Sequence, residues 1–188
     1  MRSMALRIGL LVALALTAAC ATSNQVPLAY QPVALEAPAC AASIAVVKFD
    51  DQRAKPQIGH NTDNKLFYAQ GDMATWISEA LQRQLETAGC RVEYHGKEYP
   101  FDTDAVVTGQ LLDAYTSQSS VTNFTTTLRF RVVMKKDGRE TFIKNYEGSF
   151  QNTVLVASRS NRTQLLQSAL QDMMRQVVPD VVAQARMN

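Results

Sequence analysis

Residues 121–135 constrain this chain most. Phe124, Thr126, Leu128, Phe130, Val132 and Met134 fall on one side of a two-residue period, while Asn123, Thr125, Thr127, Arg129, Arg131 and Lys135 fall on the other. Such alternation describes a strand with one buried and one wet face. It needs neighbours in a sheet and a cover for its apolar side. Residues 105–115 before it and 140–153 after it read as those neighbours, with Lys136-Asp137-Gly138-Arg139 as a hairpin turn. Asp-Gly invites a two-residue type I′ turn, but that register turns Phe142, Tyr146 and Phe150 to the side of Arg129 and Arg131. A three-residue loop over Lys136, Asp137 and Gly138 instead opposes Val132 to Phe142, Leu128 to Tyr146 and Phe124 to Phe150. One residue of slip moves every side chain to the other face, so burial predicts the three-residue loop.

Two amphipathic helices supply the cover. Met73, Trp76, Ile77, Ala80, Leu81, Leu85 and Ala88 recur at helical spacing after a capping Asp72, and Gly89 stands at the natural stop. A second stripe runs from about Asn161 to Ala185 through Leu165, Leu166, Ala169, Leu170, Met173, Val177, Val178, Val181 and Val182. Pro179 removes one bond of its ladder and predicts a kink or break. Ser43–Phe49 and Cys90–Tyr94 are short strand-like runs on either side of the first helix, so β-α-β should be a crossover between parallel strands. The expected fold is α+β: a two-layer sandwich of order β-α-β-β-β-β-α, with a mixed sheet of about five strands and both helices on one face. Residues 50–71, polar with Pro56 and Gly59, read as a long loop.

The N-terminus predicts the compartment. Arg2 and Arg7 precede an uncharged apolar run, Ile8–Leu16, then Thr17, Ala18, Ala19 and Cys20. This is the layout of a secretory signal over 1–19, too short to span a bilayer as a helix. Leu16-Thr17-Ala18-Ala19-Cys20 resembles a lipobox, although Thr17 stands where Leu is usual; Ala19-Cys20-Ala21 also fits an ordinary cleavage site with a soluble product. The first reading predicts a diacylglycerol thioether and further acylation on Cys20. Ala21 and Thr22 carry no Asp, which by similarity to enterobacterial lipoproteins favours the outer membrane. Pro27, Pro32 and Pro38 then mark residues 20–42 as a flexible tether, leaving 43–188 as a single periplasmic domain. The chain holds 19 Lys plus Arg and 17 Asp plus Glu; with Arg2 and Arg7 in the signal, the remainder is balanced. A neutral domain has no electrostatic case for nucleic acid. Cys40 and Cys90 are an even pair in an oxidising space, and they lie at the same end of two expected parallel neighbours, which favours a disulfide over two buried thiols.

The lipobox, the Pro-rich segment, a strand running into Asp51-Gln52-Arg53, the helix ending LQRQLETAGCRV, the meander and the last amphipathic helix together resemble the YajG family of outer-membrane lipoproteins. More distantly the layout is similar to auxiliary lipoproteins of envelope ABC transport systems and to the N-terminal domain of TolB. The resemblance implies location and fold, and no catalytic residue.

The sequence carries no enzyme signature: no G-x-S-x-G, no H-E-x-x-H and no Gly-rich phosphate loop. His60 and His95 are expected in separate loops without ligands at zinc spacing, so neither a metal nor a cofactor is expected. Asp51 and Arg53 follow a strand end, either as a partner contact or, preferred, as a local ion pair. Ile58, Leu66, Phe67 and Tyr68 are apolar residues in a polar stretch; they either pack back on the domain or form a docking surface. The row Thr125, Thr127, Arg129 and Arg131 is a solvated sheet face by default and a contact for glycan or protein otherwise. The function expected is a non-catalytic outer-membrane lipoprotein that binds or supports another envelope component. The alternative is an auxiliary subunit of a lipid-handling ABC transport system, which a deep apolar cavity between helices and sheet would favour.

Overall fold

The computed structural model describes residues 24–35, 39–153 and 159–187. The expected signal, Cys20 and the first residues of the tether lie outside them. The elements are β1 (Gln25–Pro27), β2 (Ser43–Val47), β3 (Asp50–Asp51), β4 (Gln57–His60), β5 (Leu66–Gln70), α1 (Met73–Thr87), β6 (Arg91–His95), β7 (Ala105–Gln118), β8 (Asn123–Lys136), β9 (Arg139–Thr153) and α2 (Arg159–Arg186). The α+β class and the two helices on one face of a mixed sheet agree with the expectation. Among the described residues the sheet has nine strands and not about five.

The surplus comes from two stretches read as irregular. In the expected long loop, β4 and β5 form an antiparallel hairpin, with His60 opposite Leu66, and β4 continues the sheet alongside β7. In the expected tether, β1 adds a parallel strand outside β5, with Gln25 beside Tyr68. Pro27 lacks an N–H, and it is accommodated as the last residue of a short edge strand.

The centre of the sheet follows the expected crossover. β2 pairs in parallel with β6 on one side and β7 on the other. The β2–β6 connection runs through α1. The return from β6 to β7 crosses β2 in the opposite direction, and right-handed connectivity then requires the face away from the helices. Glu98, in that return loop, accepts a 2.7 Å bond from Lys135 Nζ, an outward side chain of β8.

The β8–β9 hairpin corrects the expected turn while preserving its purpose. Lys136 pairs with Arg139, so the loop has two residues, and Asp137 (φ 50°) and Gly138 (φ 73°) both take the left-handed conformation of a type I′ turn. Met134 pairs with Phe142 while Lys135 pairs with Glu140, leaving Thr141 as a bulge. The bulge supplies the odd residue that the three-residue loop was expected to supply, and it restores the apolar face. The partners therefore differ from those expected. Phe130 opposes Tyr146, Thr126 opposes Phe150 and Met134 opposes Phe142. Phe130 packs between Phe49 and Tyr146 at ring separations of 6.2 and 6.0 Å.

The core lies between this face and the helices. It comprises Phe124, Leu128, Phe130, Val132 and Met134 of β8, the α1 stripe Met73, Trp76, Ile77, Ala80, Leu81 and Leu85, and the α2 stripe from Leu165 to Ala185. Asp72 Oδ1 caps α1 by accepting from Thr75 N at 2.6 Å. Ser78, buried inside α1, accepts Phe49 N at 2.8 Å and ties the end of β2 to the helix. α2 continues unbroken through Pro179. The next residue, Asp180, accepts from both Tyr146 Oη (2.7 Å) and Lys144 Nζ (2.6 Å), fastening the helix to β9.

Residues 24–35 of the expected tether form a strap packed on the domain. Val26 and Tyr30 are buried, and Trp76 Nε1 donates to Ala29 O at 3.0 Å. Gln84, fully buried in α1, uses both ends of its amide: Oε1 accepts from Val33 N (3.0 Å) and Tyr30 Oη (2.7 Å), and Nε2 donates to Val33 O (2.6 Å). Gln171 Nε2 of α2 donates to Gln31 O at 2.7 Å. Burial pushes the Tyr30 phenol up, with Arg175 opposing, so it stays a donor. Gln84→Ala removes three bonds and leaves a buried cavity beside unsatisfied groups. We expect it to lower stability by about 2 kcal/mol and to open residues 25–35 to limited proteolysis. An unchanged cleavage pattern would show that the strap is held by something else.

Candidate partner-binding surface

The residues singled out in the sequence do not form one cluster. Cys40 and Cys90 are joined by a disulfide, with their Cα atoms 4.7 Å apart. The bond lies at the rim where β2 and β6 begin, and Cys40 N also donates to Ala88 O at 3.0 Å. Asp51 and Arg53 make a two-pronged contact, Nε to Oδ1 at 2.9 Å and Nη2 to Oδ2 at 2.7 Å. The Arg53 hydrogen bond holds the Asp51 carboxyl below its ordinary range, against the opposing effect of burial. A depressed carboxyl stabilises above its unfolded pKa, and that contribution is lost as pH falls through the folded value. The local ion pair describes these residues.

Ile58 and Phe67 are core residues, so this part of the 50–71 segment packs back on the domain. Tyr68 is half-buried on β5 and Leu66 remains exposed. Phe67 is also covered by Arg162 of α2, whose guanidinium carbon stands 4.8 Å from the ring centroid while Nη2 donates to Asn61 Oδ1 at 2.8 Å. Among the described residues no cluster of His, Cys, Asp or Glu is arranged to hold a metal ion.

The long strands β7, β8 and β9 instead present a broad outer face on which neither described helix lies. Registered rows cross it: Gln110–Arg131–Asn145, Asp113–Arg129–Glu147, Tyr115–Thr127–Ser149 and Ser117–Thr125–Gln151. Arg131 Nε donates to Asn145 Oδ1 at 2.9 Å. The positive Arg129 stands between two carboxylates in register, so these rows are polar and nearly balanced, while Val133 and the exposed Ile143 form an apolar pair beside them. At one margin the β6–β7 loop adds a cluster missed in the sequence. His95, Tyr99 and Phe101 stack with centroid separations of 4.0 to 5.0 Å, and Tyr99 is 52% exposed. The density of rings over Tyr94-His95 and Tyr99-Pro100-Phe101 was its signal. The sequence could not show that the connection folds them together against the sheet.

One open depression of about 830 Å³ is lined by residues of the 41–43, 102–104 and 136–137 segments and the end of α2. Between helices and sheet the space is filled by the packed core.

Comparison with known families decides the wider assignment. A family model described as LptE, lipopolysaccharide-assembly, matches residues 42–184. The chain belongs to this family. It is a bacterial outer-membrane lipoprotein with its domain in the periplasm, and its class is one of envelope assembly without catalysis. No curated protein matches significantly. Among solved structures, one protein from Xanthomonas campestris is 10% identical, with 86% of this chain and 96% of that chain covered and a TM-score of 0.64. A hypothetical protein from Chlamydia trachomatis is 11% identical, with 79% and 99% covered and a TM-score of 0.52. At these identities the likeness is one of fold.

Proposed function

We propose that this LptE-family chain is a lipoprotein anchored through acylated Cys20, with residues 1–19 as its signal and a non-catalytic periplasmic domain that docks on a protein component of lipopolysaccharide assembly. The open outer face of β7–β9 carries this reading. Its strands are 14, 14 and 15 residues long, and its rows of Thr, Ser, Asn, Gln and paired charges suit a hydrated protein interface. The helix side is already occupied by the strap. The finer likeness to YajG rests on the sequence features given above. The alternative of a lipid-handling transport subunit gains no support from a cavity, because the helix–sheet space is packed among the described residues.

A photo-crosslinking side chain at Thr127 or Arg129 is expected to trap an outer-membrane assembly protein in intact envelopes, whereas one at Gln176 on the outer side of α2 is not. Adducts at Gln176 alone would overturn the assignment of the face. For the anchor, globomycin is expected to leave unprocessed precursor.

A further inference from the structure

We infer that the rim of the sheet where β1 begins rests on the membrane surface, with Val121 and Leu66 entering the lipid interface. The inference rests on the acylation of Cys20 proposed above and adds an orientation to it.

Strand register defines this rim. β1 and β5 run in parallel, so the start of β1 lies beside the start of β5. Leu66 opposes His60, and His60 stands beside Ser117 near the end of β7. Gln118 opposes Phe124 at the start of β8, and Asn123 opposes Thr153 at the end of β9. The chain leading to Cys20 and the turns 61–65 and 119–122 therefore emerge on the same side. The disulfide and the Asp137-Gly138 turn lie at the opposite rim.

Exposed apolar side chains occur at both rims, so the anchor decides between them. A free tether over 20–42 would let the domain stand off by roughly 25 Å as a coil. The strap removes that freedom: Tyr68 N donates to Asn24 O at 2.9 Å, and β1 follows directly. From Cys20 to Asn24 a fully extended chain reaches at most about 14 Å. Acyl chains on Cys20 thus hold this rim within a headgroup layer of the bilayer.

The composition of the rim suits that position. Val121 is 73% and Leu66 39% exposed. In the turns 61–65 and 119–122 the charged side chains are Asp63 and Lys65, which neutralise each other at 3.1 Å; the others are Ser, Thr and Asn besides Val121. The Asp63–Lys65 pair carries no net charge, and Arg162, bonded to Asn61 at this rim, adds a cation that suits the anionic headgroups of phosphatidylglycerol. At the opposite rim Asp102, Asp104, Lys136 and Asp137 line one hollow and Arg139 stands beside Lys136, and desolvating these charges is far less favourable.

The test uses the full acylated chain in vesicles of phosphatidylethanolamine and phosphatidylglycerol, spin-labelled after Val121→Cys, Leu66→Cys or Gly138→Cys. The native cysteines are acylated or bridged, so the introduced thiol alone reacts. The ratio of oxygen to aqueous nickel-chelate accessibility is expected to be several-fold higher at Val121 and Leu66 than at Gly138. Equal, aqueous values at all three positions in protein that floats with the vesicles would overturn the orientation. So would labels that are aqueous in pure lipid and shielded only in intact envelopes, which would assign the rim to a protein partner. A mature chain without acyl mass that fails to float would overturn the anchor itself, and the mass measurement separates that failure from the others.

Discussion

Replacing both Cys40 and Cys90 by serine is expected to lower the unfolding free energy by about 4 kcal/mol. The bond spans a sequence separation of 50 residues, which encloses β2, the β4–β5 hairpin and α1. In the chain-entropy account its main effect is on the unfolded ensemble, which loses the freedom to separate these ends. The native state keeps much of its local pairing without the bond, because Cys40 N still reaches Ala88 O and Arg91 N still reaches Ala42 O at 3.0 Å. The fold is thus expected to survive in the variant with reduced stability. With a urea dependence of about 2 kcal/mol per molar, the midpoint should fall by roughly 2 M. Hydrogen exchange should rise first over 39–47 and 88–95, where the bond joins the two strands. A fall of less than about 1 kcal/mol would mean that the unfolded chain already holds these ends together, and the entropic account would fail for this domain.

How much of this molecule was legible follows from how each part buries itself. α1 and α2 use one face of a regular element against one surface, so their spacing alone reveals them; the residues expected in both stripes are buried except Ala88, which is half-buried just past the end of α1. β8 reveals itself by alternation for the same reason. The hairpin turn was legible in two halves that conflicted. Asp137-Gly138 asked for two residues and the aromatic positions asked for an odd number. A bulge at Thr141 reconciles them, and nothing in the residue types marks a bulge at threonine. The strap left little pattern because, beyond the three residues of β1, it crosses the helices without forming an element of its own. Val26 and Tyr30 are single anchors, and its backbone is read by Gln84, a residue that looks like any polar position of a helix. The site was less legible than the fold. The outer-face rows exist only once β7 and β9 are in register with β8, and one residue of slip in either strand would have put different side chains beside Arg129.

Gly59→Ala is expected to cost about 3 kcal/mol, at the upper end for overpacking, and to release the β4–β5 hairpin with β1. A Cβ at this position would stand 2.1 Å from Thr116 O and 2.2 Å from the Phe67 ring. Neither neighbour can yield easily. The carbonyl belongs to β7, whose register is held by β8 on its other edge, and the ring is packed under Arg162. Ile58 is buried beside the substituted residue, so outward movement of β4 also exposes core surface. Hydrogen exchange should accelerate over 57–70 and 24–30 while α1 and the β7–β9 meander keep their protection. The double variant Gly59→Ala, Phe67→Ala separates the two contacts. It removes the ring and leaves the carbonyl, so it should not regain the stability of Phe67→Ala alone. If it did, the close approach of the two backbones would not be what requires glycine here. Because β1 rides on this hairpin, the same substitution should also lengthen the effective tether from Cys20. In the spin-label experiment it should lower the lipid exposure of Val121 without detaching the protein from the vesicle.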